Sequence, residues 1–245
     1  MALADFMVWR SPNLFITQRL ALQSTGIDIP ATWQYELRNA GGQVIGKATC
    51  QRTAQVDRIH LECEVHQEAY QLHSGNSFYQ DTTFDRRLRA DWEPATLNLI
   101  HLDSRTIGQQ VDNAISVDVG ASKGLTLQVS WSGETQIPLA LPADGLYQDE
   151  WPWRLMGLPF SDGYGGNTSL AYPMIYNDHL DRSAPTQVDS VAMVYSKEAV
   201  RVPAGSYNAW KVSLDKSTAW YDTAAQHTLV KYTDGMTTYL LNVSQ

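Results

Sequence analysis

"TWQYELRNAGGQVIGKATC", residues 32–50, is the stretch that decides the fold class. One run rich in aromatic and branched side chains enters Asn39-Ala40-Gly41-Gly42, and a second run leaves it. Glycine supplies the positive φ that a tight connection needs, so the stretch reads as strand, turn, strand. The alternation continues through "IHLECEVHQEAYQLHSG", residues 59–75. Leu61, Cys63 and Val65 fall on one face there, and His60, Glu62, Glu64 and His66 on the other. Between the two stretches, a hairpin turning at Val56-Asp57 sets Thr53 opposite His60 and Cys50 opposite Cys63. Side chains so placed approach closely enough to bridge. A Cys50–Cys63 disulfide is therefore expected, and with it an oxidising compartment. The alternative is two separate buried thiols.

The same period of two recurs along the chain. "AISVDVGASKGLTLQVSWSGETQIPLAL", residues 114–141, gives further short strands broken by glycine-containing turns. Many short strands with turn signals between them predict a mainly β protein: one highly curved antiparallel sheet, or an open or closed β-barrel. A chain of 245 residues fits a single such domain spanning 1–245, with residues 1–30 reading as a peripheral N-terminal segment.

Charge excludes some functions. Eighteen basic against 26 acidic residues leave a net charge of −8, which repels nucleic acid and anionic membrane surfaces. No run approaches the roughly 20 apolar residues of a membrane-spanning helix. The N-terminus lacks a basic stretch followed by an unbroken apolar core, so it does not read as an intact secretory signal. The chain is then either cytoplasmic or without a leader cut from its precursor, and the cysteine pair favours the second.

Two segments depart from plain alternation. "NSFYQDTTFDRRLRADWEPATLNLIHL", residues 76–102, reads as strand, turn, strand, with Arg86, Arg87 and Arg89 near the turn. Those arginines either grip an anionic group or, flanked by Asp85 and Asp91, form a balanced surface turn. "DGLYQDEWPWRLMGLPFSDGYGGN", residues 144–167, holds the one short helix expected, from Glu150 to Gly157. Pro152 suits its first turn, where an N–H is not needed, and Pro159 helps to end it. Trp151, Trp153, Phe160 and Tyr164 crowd this segment. They are the candidate ligand-binding residues, because pockets favour aromatic walls. Alternatively they plug the end of the barrel as core.

Motif chemistry is sparse. The His60–Glu62–Glu64–His66 row reads as a solvated face, since residues two apart stand roughly 7 Å apart along a strand. Asp178, His179 and Asp181 could offer oxygen ligands, but polar loop composition accounts for them equally. No G-x-S-x-G, dinucleotide fingerprint, P-loop or metal spacing is present, so no catalytic residue, metal or cofactor is assigned. Asp149 and Glu150 beside the aromatics are the acids a hydrolase or lyase acting on envelope glycans or lipids would use.

One resemblance narrows the setting. "EAVRVPAGSYNAWKVSL" and the following "TAWYDTAAQHTLVKYTDGMTTYLLNV" resemble the C-terminal half of a bacterial family, domain of unknown function 3108. Pro203, Ala204, Gly205, Tyr207, Trp210, Trp220, Tyr221, Val230, Tyr232, Asp234 and Gly235 carry the likeness. The N-terminal hairpin is similar in kind, and residues 70–190 only in layout. The resemblance implies an exported β-rich envelope protein, shaped like the open barrels of lipoprotein carriers, with no catalytic residues to carry over. The expected protein is thus a non-enzymatic extracytoplasmic one whose interior holds a hydrophobic or amphipathic, lipid-like ligand; an envelope hydrolase or an assembly module is the alternative. Register counting places Trp210, Val212 and Leu214 in the core and Tyr207 over the Pro203-Ala204-Gly205 turn.

Overall fold

Alternating burial is the rule by which this chain is built. In the computed structural model, which describes residues 17–18, 22–23, 27, 29–74, 77–108, 112–119, 125–129, 133–137, 145–160, 168–176 and 186–244, strands account for almost every long element. In chain order they are β1 (Thr17–Gln18), β2 (Ala31–Asn39), β3 (Val44–Ala54), β4 (Ile59–Ser74), β5 (Ser77–Trp92), β6 (Leu99–Gly108), β7 (Asp112–Asp118), β8 (Leu125–Val129) and β9 (Gly133–Ile137). After them come β10 (Leu146–Tyr147), helix α1 (Trp151–Arg154) with a 3₁₀ turn (Leu155–Gly157), β11 (Thr168–Tyr176) and β12 (Thr186–Val202). The chain ends in β13 (Gly205–Leu214), β14 (Ser217–Asp222), β15 (Leu229–Thr233) and β16 (Thr237–Ser244).

The sixteen strands among the described residues belong to one sheet. Its order is β1-β11-β12-β13-β14-β15-β16-β2-β3-β4-β5-β6-β7-β8-β9, with β10 also on β11. Two up-and-down meanders, β2–β9 and β11–β16, are fused where the last strand pairs antiparallel with β2. Among the described residues, only the two-residue strands β1 and β10 run parallel to their neighbour. The sheet does not close into a barrel, so of the architectures expected the open one is found.

Curvature follows from two hydrogen bonds. Tyr221 on β14 donates to the Pro152 carbonyl at 2.8 Å, and Ser104 on β6 donates to Asp149 at 2.8 Å. Strands β14 and β6 are seven steps apart in the sheet, about 34 Å if it were flat. Asp149 and Pro152 are three residues apart, at most about 10 Å. The sheet therefore wraps around the segment that carries α1. Topology explains why the segment lies there: after β9 at one edge the chain must reach β11 near the other.

The concave face is the core. Trp33, Tyr35 and Leu37 point into it from β2, Cys50 from β3, and Ile59, Leu61, Cys63 and Val65 from β4. The hairpin registers are those expected, with Thr53 opposite His60 and Cys50 opposite Cys63, and the two cysteines form a disulfide. Asn39 accepts from Gly42 N–H at 2.9 Å to close the β2–β3 turn.

On β13, Trp210, Val212 and Leu214 are buried, and Tyr207 is half-buried against the core. Pro203 and Ala204 are the two loop residues between β12 and β13. Gly205 follows at φ +142°, a range that favours glycine.

The expectation for β5 requires correction. Arg86, Arg87 and Arg89 sit inside the strand, and the turn falls later, where Leu97 N–H bonds to Glu93 O at 2.8 Å. Their charges mark a strand face because β4 offers them partners. Arg89 opposes Glu62 and Arg87 opposes Glu64, and both guanidinium groups reach the Glu62 carboxylate.

Candidate functional site

The segment 145–160 is held from every side, which makes it the fixed wall of the interior. Glu150 occupies the N-cap position of α1, and Pro152 lies in the first turn, as its missing N–H allows. The Glu150 side chain does not cap the helix; its Oε1 accepts from Tyr147 N–H at 3.1 Å and from Arg154 Nη1 at 3.2 Å. Arg154 also donates to the Gly145 carbonyl. Both charged side chains are fully buried. Burial pushes the Glu150 carboxyl above its ordinary range, against the opposing pull of Arg154 and Tyr147 N–H. The Trp92 indole lowers it slightly, though it lies outside good hydrogen-bond geometry.

Aromatic rings complete the clasp. Trp153 stacks on Trp33 at 6.4 Å and meets the edge of Tyr35 at 5.3 Å. Trp151 meets Tyr232 edge-on at 5.7 Å. Phe160 lies against Trp210 at 5.7 Å and Tyr221 at 5.4 Å. Gly157 has no room for a side chain: a Cβ there would stand 2.2 Å from Leu97 Cδ1 and 2.8 Å from the Gln23 carbonyl.

Beside this wall lies a cavity of about 460 Å³. Cys63 and Val65 of β4 and Leu88 of β5 form its apolar side, with Trp151, Pro152 and Trp153 next to them. Tyr232 and Tyr239 continue the aromatic surface. The polar rim comes from Arg86, from Gln148 and Asp149, from the turns after β13 and β15, which supply Asp215, Lys216 and Asp234, and from Ser217 at the start of β14. Arg86 lies 3.6 Å from Asp149, whose other oxygen accepts from Ser104. Asp234 Oδ1 accepts from the N–H groups of Met236 and Thr237 at 2.8 and 2.7 Å, which fixes the β15–β16 turn. Burial, and then the nearby carboxylate of Asp234, push the Tyr232 phenol well above its ordinary range; Asp149 acts in the same sense.

The four expected ligand-binding residues divide. Trp151 and Trp153 line the cavity but are only 2% and 5% exposed, so most of each ring is core. Phe160 packs on Trp210 and Tyr221 and does not line it. Tyr164 lies outside the described residues, as do Asp178, His179 and Asp181. Asp149 and Glu150 do not converge: the first borders the cavity, and the second is sealed beneath α1 with Arg154. Among the described residues no group of three or more His, Cys, Asp or Glu side chains could hold a metal ion.

Most of the rim was absent from the expectation. One signal for it was legible: Phe84, Arg86, Leu88, Ala90 and Trp92 share a strand face, and Arg86 is the single charge in that apolar row. The aspartates and Lys216 gave no such signal, because they sit in ordinary polar turns.

No family model matches the chain, nor does any curated protein or solved structure. The described residues contain no helix long and apolar enough to cross a membrane, which says nothing of strands.

Proposed function

We propose that this chain is an extracytoplasmic binding protein, without catalysis of its own, that holds an amphipathic ligand on the concave face of its sheet. The observation that carries the reading is the 460 Å³ cavity, apolar on the β4–β5 side and polar at the rim. Its volume is that of a small-molecule site, and such sites combine apolar walls with a few placed polar groups. The disulfide supports an oxidising compartment, and the likeness to domain of unknown function 3108 supports an envelope setting. An enzyme reading loses its acid pair, since Glu150 does not reach the cavity that Asp149 borders.

Native mass spectrometry on protein purified from its own host, before and after organic extraction, tests the proposal. A co-purifying small molecule, lost from the Met236→Trp variant whose indole fills the cavity mouth, is the expected result. Protein recovered at its bare mass under gentle conditions, with no small amphiphile binding to the wild type, would sink it.

A further inference from the structure

We infer that the cavity takes a cation-headed ligand, an amine or quaternary ammonium on a compact apolar body. This rests on the cavity being a ligand site, as proposed above. The argument begins with the charges at the rim. Three carboxylates, Asp149, Asp215 and Asp234, stand against two cations, Arg86 and Lys216, so the lining is net negative. Arg86 is already engaged: it lies 3.6 Å from Asp149 and donates to Thr106 Oγ1 at 3.3 Å. It therefore offsets Asp149 and adds little attraction for an incoming anion. Lys216 and Asp215 have no side-chain partner among the described residues, and both sit exposed in the β13–β14 turn.

The aromatic side points the same way. Trp151, Tyr232 and Tyr239 form a connected series, with ring centroids 5.7 and 5.5 Å apart along it. Aromatic faces attract cations through their quadrupole, and anions gain nothing from them. Tyr232, Asp234 and Asp149 line the same cavity, so the negative rim and the aromatic wall belong to one site. Cys63, Val65 and Leu88 then offer the apolar body a dry wall. The chain's net charge of −8 steers cations inward and anions away over longer range. A free fatty acid or phosphate headgroup meets a net negative rim and an aromatic wall that does not attract it, and gains only from Lys216.

Calorimetric titration of the whole chain with three probes of like size tests the inference: hexyltrimethylammonium, 1-hexanol and hexyl sulfate. The cation is expected to bind at least about tenfold more tightly than either other probe at low salt, with the margin shrinking as salt rises. Asp149→Asn and Asp215→Asn should each weaken the cation by about tenfold without altering hexanol. Asn is tolerated at the positive φ of Asp215, and it keeps an acceptor for Ser104 at position 149, so both variants should fold. Lys216→Gln should strengthen cation binding.

Equal affinity for all three probes, or preference for hexyl sulfate, overturns the cation assignment and leaves the binding site standing. Binding of the cation that survives both Asn variants unchanged also overturns it. If no probe binds, and the Met236→Trp variant behaves as wild type, both this inference and the binding reading fall.

Discussion

Glu150 and Arg154 show how single residues anchor the interior. An ion pair fully removed from water is held by geometry more than by net energy, because desolvation offsets most of the attraction. Here each partner also touches the backbone of the segment before α1: Tyr147 N–H for Glu150 and the Gly145 carbonyl for Arg154. Removing one partner strands the other. Glu150→Gln or Arg154→Met alone should each cost about 3 kcal/mol of unfolding free energy. The double variant Glu150→Gln/Arg154→Met should cost less than the two single changes summed, because no uncompensated charge remains. Urea denaturation of the four proteins closes the cycle; strictly additive costs would show that the pair is not coupled. None of this could be read in "QDEWPWRLMG". The helix and its proline were legible there, since both depend on neighbours in sequence. The burial of Glu150 depends on Trp92 and on strands far along the chain, so local pattern carries no trace of it.

At the scale of elements, the convex face of β4–β7 is a lattice of ion pairs, and the imidazole of His101 gives it a pH-dependent contribution. His101 on β6 has Nδ1 2.7 Å from Asp118 on β7 and Nε2 2.9 Å from Asp103. Carboxylates only accept, so both contacts are hydrogen bonds only when the ring carries two protons. Partial burial works against that charge, but the bonds to Asp103 and Asp118 outweigh it and hold the His101 pKa above its ordinary value. Burial likewise opposes ionisation of Asp103, yet His101 and Ser116 bring its pKa below the usual carboxylate range.

The signs differ between the two groups. A raised histidine contributes stability that is complete below about pH 6.5 and is lost as pH rises through the folded value. A depressed aspartate contributes stability present above about pH 4 and lost on acidification. Thermal midpoints should therefore decline from about pH 6.5 upward, and His101→Gln should flatten that decline. An unchanged pH profile in the variant would mean that the imidazolium pair is energetically silent. Asp91 and Arg89 of β5 face the same row; Asp91 is occupied by His60 at 2.6 Å, so His101 is left to its own two partners. Alternation made this convex row legible on β4. On β5 the arginines read from sequence as turn residues, because a charged run looks like a turn until the strand that pairs with it is known.

Over the whole molecule, two kinds of link hold the sheet, and they differ in reach. The Cys50–Cys63 disulfide joins neighbouring strands of one hairpin, 13 residues apart. It was legible because hairpin register is a local property. The β16–β2 pairing joins residues some two hundred positions apart, and Tyr35 on β2 reinforces it by donating to the Leu229 carbonyl on β15 at 2.9 Å. Nothing local announces that seam, and the cavity walls depend on it: Tyr232, Asp234 and Tyr239 come from one meander, Cys63, Val65 and Arg86 from the other.

Loss of each link should therefore have a different outcome. Cys50→Ala/Cys63→Ala should lower stability by about 3 kcal/mol, the scale of closing a loop of this size, while the fold and the cavity persist. Removal of residues 237–245 takes away the one strand that pairs with both β15 and β2, and leaves two meanders without a shared ladder. That truncated protein should lose cooperative unfolding and bind no cavity ligand, even with its disulfide intact. Circular dichroism melts with limited proteolysis separate the cases. A truncated chain that still melts in one sharp transition would place the integrity of the sheet elsewhere, in the aromatic clasp around α1.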